Sequence, residues 1–160
     1  MRTGIGYDIH RFTRGRPLVL GGIRIPSHCG LDGHSDADVI IHAIADALLG
    51  SVAAGDIGQW FPTTDPRYKN MNSGLMLQAI RDYLKKKHVT VINIDTMIIA
   101  DTPKIAPYAQ RMRIRIADML KIKPHAVSIK ATTNEGLGYL GQKKAIAAWA
   151  ICSVNKKLNK

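Results

Sequence analysis

Residues Gly33 to Pro62 read GHSDADVIIHAIADALLGSVAAGDIGQWFP, and the rest of the chain is arranged around them. Val39, Ile40, Ile41, Ile44, Ala45, Leu48 and Leu49 recur at near-helical spacing and give a broad apolar face. Ser35 stands where an N-cap belongs, and Asp38 three residues on completes a capping-box-like start. Gly50, Gly55 and Gly58 punctuate the exit. Asp38, His42 and Asp46 lie four apart, so on a helix they form one ionisable column beside the apolar face.

Upstream, GIGYDIH (Gly4 to His10) reads as extended chain, in which residues two apart point to one side. Asp8 and His10 then share a face. With His42 they make a carboxylate and two imidazoles drawn from two elements. Such a donor set suits zinc, and three protein ligands with one open position is the catalytic pattern. The spacing equally fits a partly buried His42 satisfied locally by Asp46. The residues alone leave both readings standing.

A chain of 160 residues fits a single domain, residues 1–160, and can bury roughly 70% of its unfolded surface. Cys29 and Cys152 have neither metal nor redox spacing and read as free thiols of a reducing compartment. No apolar run reaches the length of a membrane span, and the start, MRTGIGYDIH, lacks the apolar core of a signal peptide. A cytoplasmic chain without a membrane partner is expected. The net charge of +11 lies wholly beyond residue 80, because Lys and Arg balance Asp and Glu before it. That fits an anionic substrate or a solvated basic surface. Lys85-Lys86-Lys87 and Lys156-Lys157 have no interleaved aromatics on which bases stack, so no nucleic-acid partner is expected.

Along the chain, Leu18–Leu20, Gly21-Gly22 and Ile23–Ile25 read as a hairpin, and Pro26 to Gly33 as a loop. Phe61 to Pro66 is turn-rich. Ser73 caps a helix running to about Lys87, with basic residues at its end. Val89 to Ala100 is the clearest strand. Pro103 or Pro107 starts a helix whose stripe is Ile105, Tyr108, Met112, Ile116 and Met119. Val127 to Thr133 is a strand, and Gly136, Gly138 and Gly141 a flexible loop; residues 145–154 are ambiguous between strand and helix. Alternation of strands and helices makes the class α/β or α+β. The hydroxyls and N–H groups of Thr132-Thr133-Asn134-Glu135-Gly136 suit phosphate oxygens, and Glu135 is the sole glutamate in the chain.

The motifs G-x-G-x-D-x-H (Gly4 to His10), G-H-S-D-x-D-x-x-x-H (Gly33 to His42), D-A-L-L-G (Asp46 to Gly50), G-D-I-G (Gly55 to Gly58), F-P-x-T-D-P (Phe61 to Pro66) and A-T-T-x-E-x-L-G (Ala131 to Gly138) together resemble the 2-C-methyl-D-erythritol 2,4-cyclodiphosphate synthase family. The resemblance spans essentially the whole chain. It implies a mixed sheet packed on helices, with the ambiguous C-terminal segment as a strand. It also implies a homotrimer whose active sites are shared between subunits. The reaction it implies turns 4-diphosphocytidyl-2-C-methyl-D-erythritol 2-phosphate into the cyclic diphosphate and CMP.

By that resemblance Asp8, His10 and His42 hold Zn²⁺ against the substrate's β-phosphate. Glu135 helps to hold a second divalent cation, Mg²⁺ or Mn²⁺, between the α- and β-phosphates. His34 and Thr133 are the catalytic positions. Asp8, Ile9 and His10 are substrate-binding positions, and the methylerythritol phosphate side of the substrate meets His34 and Ser35, then Asp56, Ile57 and Gly58. It also meets the loop of Phe61, Pro62, Thr63, Thr64 and Asp65. The cytidine diphosphate side meets Ala100, Asp101, Thr102, Pro103, Lys104, Ile105 and Ala106 of the neighbouring subunit. Thr132, Thr133, Asn134 and Glu135 complete that side. Tyr139 and Gln142 lie near the trimer axis, beside a cavity that can hold an isoprenoid diphosphate. The chain departs from the family pattern at Thr63, where Asp is usual, at Tyr139 (Phe), at Gln142 (Arg) and at Lys143 (Gly). A phosphohydrolase using the same three ligands to activate water is the alternative chemistry.

Overall fold

The computed structural model describes residues 1–156, so Lys157 of the last basic pair lies outside the described residues. Seven strands are β1 (Arg2–Arg14), β2 (Leu18–Leu20), β3 (Ile23–Ile25), β4 (Cys29–Leu31), β5 (Val89–Ile99), β6 (Val127–Thr132) and β7 (Ala145–Lys156). The helices are α1 (Val39–Ser51), α2 (Ile57–Trp60), α3 (Ser73–Lys86), α4 (Ala109–Leu120) and α5 (Gly138–Gly141). Five strands form one sheet in the order β4-β1-β7-β5-β6, with β2 and β3 as a separate hairpin. β6 runs parallel to β5 and the other pairs are antiparallel. This mixed sheet with helices defines the α+β class.

The apolar segment 145–154 becomes the central strand. Ala148, Ala150, Cys152 and Val154 are buried under the helices, while Trp149 and Ile151 alternate to the other face. Apolar periodicity could not separate strand from helix here; ladders to β1 on one side and β5 on the other decide it.

α1 lies directly on β1. A Cβ at Gly4 would come within 1.9 Å of the Ala47 carbonyl oxygen, and one at Gly6 within 2.0 Å of that of Ala43. The two glycines share a strand face and the two alanines one helix face, so the helix backbone rests on bare strand backbone. Asp8 and His10 continue that face to the level of His42.

Several local expectations are corrected. The α1 N-cap is Asp38 and not Ser35: its buried carboxylate accepts from Ile40 N and Ile41 N, and also from Gly21 N and Gly22 N of the β2–β3 turn. One side chain thus satisfies donors of two elements, which a serine hydroxyl cannot match. Asn72 and not Ser73 caps α3, accepting from Gly74 N. Pro107 rather than Pro103 leads into α4, through a 3-10 turn at Ala106–Tyr108. The loop after Pro26 contains β4, and the glycine-rich stretch after Thr133 contains the one-turn α5.

The sheet face opposite the helices is uncovered in the single chain. Ile5, Tyr7, Trp149 and Ile151 are all exposed there, with the Tyr7 and Trp149 rings 4.6 Å apart. Among the described residues no helix is long and apolar enough to cross a membrane.

Candidate metal centre and substrate cavity

Asp8 and His10 project from β1 and His42 from the first turns of α1. Asp8 Oδ2 lies 2.9 Å from His42 Nδ1 and 3.1 Å from His10 Nε2, and the two imidazole nitrogens are 3.4 Å apart. Zinc with bonds of about 2.0–2.1 Å in a tetrahedron needs ligand atoms roughly 3.3 Å apart, so the triangle fits a divalent cation.

The outer partners of the rings suit the tautomers that such a cation requires. His10 Nδ1 donates to the Asp32 carbonyl, an acceptor only, which leaves Nε2 facing inward. His42 Nε2 lies 2.9 Å from Ser73 Oγ and 3.1 Å from Ser35 Oγ, which leaves Nδ1 facing inward. Neutral rings would therefore aim two lone pairs at a carboxylate, an arrangement that calls for a cation or a proton between them. Burial acts to raise the Asp8 pKa, but hydrogen bonds and charge from His10 and His42 outweigh it and hold the carboxyl well below the usual range. Burial acts to lower the His10 pKa, but the Asp8 carboxylate outweighs it and raises the imidazole above its ordinary value. A proton and a metal thus compete for one position.

Asp46 does not orient His42, contrary to the helical column. It accepts from Ile57 N at 2.8 Å and so ties the start of α2 to α1. The bland reading of His42 as a histidine satisfied by Asp46 falls with that contact. Asp38 is likewise withdrawn into the hairpin turn, so of the column only His42 joins the site.

The triad opens on a cavity of about 230 Å³. His34, Ser35, Ile57, Gly58, Phe61 and Thr63 line it. Among the described residues His34 Nε2 is buried without a partner. Tyr68 and Met76 line it too; nothing in their local sequence marked them. Asp56 instead caps α2, accepting from Gln59 N, and Asp65 is engaged by the Arg67 guanidinium. Pro62 and Thr64 belong to the same rim loop. Ile9 points to the uncovered sheet face, away from Asp8 and His10.

A second cluster forms at the far edge of the sheet. Ala100 N donates to the Thr132 carbonyl, and Asn134 N donates to Asp101 Oδ2 at 2.9 Å, so segments 100–106 and 132–135 are joined. Thr133 Oγ1 donates to Glu135 Oε1 at 2.6 Å, with both residues exposed. Thr102, Lys104 and Ala106 are exposed and Pro103 half-buried, but the side chains of Ala100 and Ile105 are in the core and leave only backbone to a ligand. Tyr139 is exposed with Lys144 Nζ 5.5 Å from its ring centre, and Gln142 is exposed at the end of α5.

Fold and site together define an α+β protein with a half-buried carboxylate–imidazole triad, a candidate metal site, at the mouth of a cavity. Residues 1–155 match the YgbB family, and the chain belongs to it. It is 51% identical over 157 residues to the 2-C-methyl-D-erythritol 2,4-cyclodiphosphate synthase of Chlorobium phaeobacteroides, covering 98% of this chain and 99% of the relative. Among solved structures it resembles the IspF of Plasmodium falciparum in complex with CDP, with a TM-score of 0.87 and 35% identity, covering 98% and 97% of the two chains. It also resembles the bifunctional IspDF of Campylobacter jejuni, with a TM-score of 0.94 and 38% identity. There it covers 98% of this chain but 42% of the larger protein.

Proposed function

We infer that this chain catalyses the cyclodiphosphate synthase reaction of non-mevalonate isoprenoid biosynthesis, as a phosphorus–oxygen lyase. Its substrate is 4-diphosphocytidyl-2-C-methyl-D-erythritol 2-phosphate and its products are 2-C-methyl-D-erythritol 2,4-cyclodiphosphate and CMP. The observation that carries the reading is the triad of Asp8, His10 and His42 opening on a cavity, in a chain 51% identical to such synthases over nearly its whole length.

The substrate brings its own nucleophile. An oxygen of its 2-phosphate forms a bond to the β-phosphorus, the bond from that phosphorus to the bridging oxygen breaks, and CMP leaves with that oxygen. The attacking phosphate is ionised near neutrality, so the protein needs no strong base. Its work is to bring two phosphates of a flexible polyanion into line, and orientation of this kind supplies ~7–11 kcal/mol in favourable intramolecular reactions. Asp8, His10 and His42 would hold Zn²⁺, which when bound supplies charge neutralisation at the β-phosphate. His34, with its unpartnered buried nitrogen, and the Ile57–Thr63 rim would hold the methylerythritol phosphate end. Thr132, Thr133 and Lys104 would hold the cytidine diphosphate, and Glu135 the second cation, Mg²⁺ or Mn²⁺.

We further propose that the 160-residue chain is one cytoplasmic domain that works as a homotrimer. Two observations support shared sites. Ile5, Tyr7, Trp149 and Ile151 stand exposed together on one sheet face, and a contiguous apolar patch of this kind suits burial against another subunit. Within one chain, Ile9 pairs with Ala147, Ala147 with Ile99 and Ile99 with Thr132. Three strand spacings, roughly 14 Å, therefore separate the triad's strand from the Thr132 edge.

Incubation of the purified protein with the cytidylated substrate, Zn²⁺ and Mg²⁺ tests the reaction. CMP and cyclic diphosphate should appear in equal amounts, with no oxygen from solvent. A linear product carrying solvent oxygen would identify a hydrolase instead.

A further inference from the structure

Ser73 opens α3 and is fully buried. A serine at a helix start ordinarily turns its hydroxyl to the helix's own N–H groups, but Asn72 performs that service here. The Ser73 hydroxyl is free to face elsewhere. It donates to Asp36 Oδ1, while Asp36 Oδ2 accepts from Ser73 N at 3.1 Å. With its hydrogen directed at Asp36, the Ser73 oxygen meets His42 Nε2 at 2.9 Å as an acceptor. Ser35 Oγ, 3.1 Å from the same nitrogen, also accepts from Ala37 N. Nε2 then carries the ring hydrogen, and Nδ1 presents its lone pair towards Asp8 and His10.

We propose that Asp36 and Ser73 are positioning residues for His42, fixing through a carboxylate–serine–imidazole chain the tautomer and ring orientation with which Nδ1 binds the metal. The proposal rests on the reading that Asp8, His10 and His42 hold a divalent cation. Partners of this kind hold ligating imidazoles in many metal sites, and their loss costs ~10–100-fold in metal affinity. The chain also reaches the cavity rim. Asn70 N donates to the His34 carbonyl and Asp36 N to the Met71 carbonyl, so the rim loop enters α3 at the residue that touches the metal ligand.

The test uses the full chain in three measurements. Nitrogen-15 histidine NMR of the zinc-loaded wild type should show His42 with a protonated Nε2 and a metal-bound Nδ1. Zinc titration against a competing chelator should show a ~10–100-fold loss of affinity in Ser73→Ala and in Asp36→Ala. The visible absorption of the Co²⁺-loaded protein should change in the same variants, which a loss of stability alone does not produce. Binding of His42 through Nε2 overturns the proposal even if neither variant folds. Wild-type zinc affinity with an unchanged Co²⁺ spectrum in Ser73→Ala overturns it as well. A wild type that takes up no stoichiometric zinc overturns the metal reading first and the positioning role with it.

Discussion

Gly6 of β1 lies directly under Ala43 of α1, so close that a Cβ on the glycine would stand 2.0 Å from the alanine's carbonyl oxygen. The contact is backbone against backbone, and no rotamer can relieve it. Gly6→Ala must therefore lift α1 from the sheet and carry His42 away from Asp8 and His10. Overpacking of this kind costs ~1–3 kcal/mol and more when the backbone cannot yield. Thermal denaturation should show a clear fall in Tm, together with a fall in bound zinc. A variant with wild-type Tm and metal content contradicts the account of the strand–helix contact.

The metal-free site should respond to pH on both sides. His10 has a raised pKa in the folded chain, so its contribution is fully present below its unfolded value of ~6.5 and is lost as pH rises through the folded one. Asp8 has a lowered pKa, so its contribution is present above ~3.9 and is lost as pH falls through the folded value. Chelator-treated protein should gain most from this pair between pH ~4 and ~6.5. To bind here zinc must displace the proton, so its affinity should fall progressively as the solution is acidified below the raised His10 pKa. A zinc affinity independent of pH between 5 and 8 would rule this competition out.

Glu135→Gln keeps the shape of the side chain and removes its charge. The Thr133 hydroxyl still has an acceptor in the amide oxygen, so the local turn should persist. Activity should require ~10-fold or more Mg²⁺ than the wild type, while stoichiometric zinc stays bound. Titration of activity with Mg²⁺ at saturating Zn²⁺ decides; an unmoved midpoint removes Glu135 from the second cation.

Two inactive variants should complement if the site is shared. His42→Ala lacks the triad and Thr133→Ala lacks the hydroxyl at the far sheet edge. A co-expressed mixed trimer contains one interface that pairs an intact triad with an intact Thr133. Its activity should exceed that of either parent preparation by at least ~10-fold, given that a lost ligand or transition-state contact costs ~10²–10³ in rate. A verified mixed trimer without recovered activity argues for a site within one chain.

The two thiols should differ in reactivity. Cys152 is buried on the helix-facing side of β7, and that burial pushes its pKa up to about 11. Cys29 is half-buried at the start of the edge strand β4. Alkylation of the native protein at pH ~8 should modify Cys29 well ahead of Cys152. Equal labelling would mean that β7 opens readily.

By itself the sequence determined what local periodicity can carry. The apolar spacing of residues 39–49 set α1, the Gly21-Gly22 pair set the β2–β3 hairpin, and the two-residue step from Asp8 to His10 put both on one strand face. Their union with His42 was legible as a candidate, and the ordered motifs around it pointed to one family. Tertiary structure alone decided where the carboxylates and hydroxyls go. Asp46 sits one turn from His42 and was the natural partner on a helical wheel, yet it accepts from Ile57 N, while Ser73, distant in sequence, reaches the imidazole. Asp38 displaced Ser35 as the cap because the hairpin brought it two further donors, Gly21 N and Gly22 N. Helical spacing specifies which side chains share a face. A carboxylate turns to the donors that burial would otherwise leave without a partner, and those donors arrive only when distant segments pack.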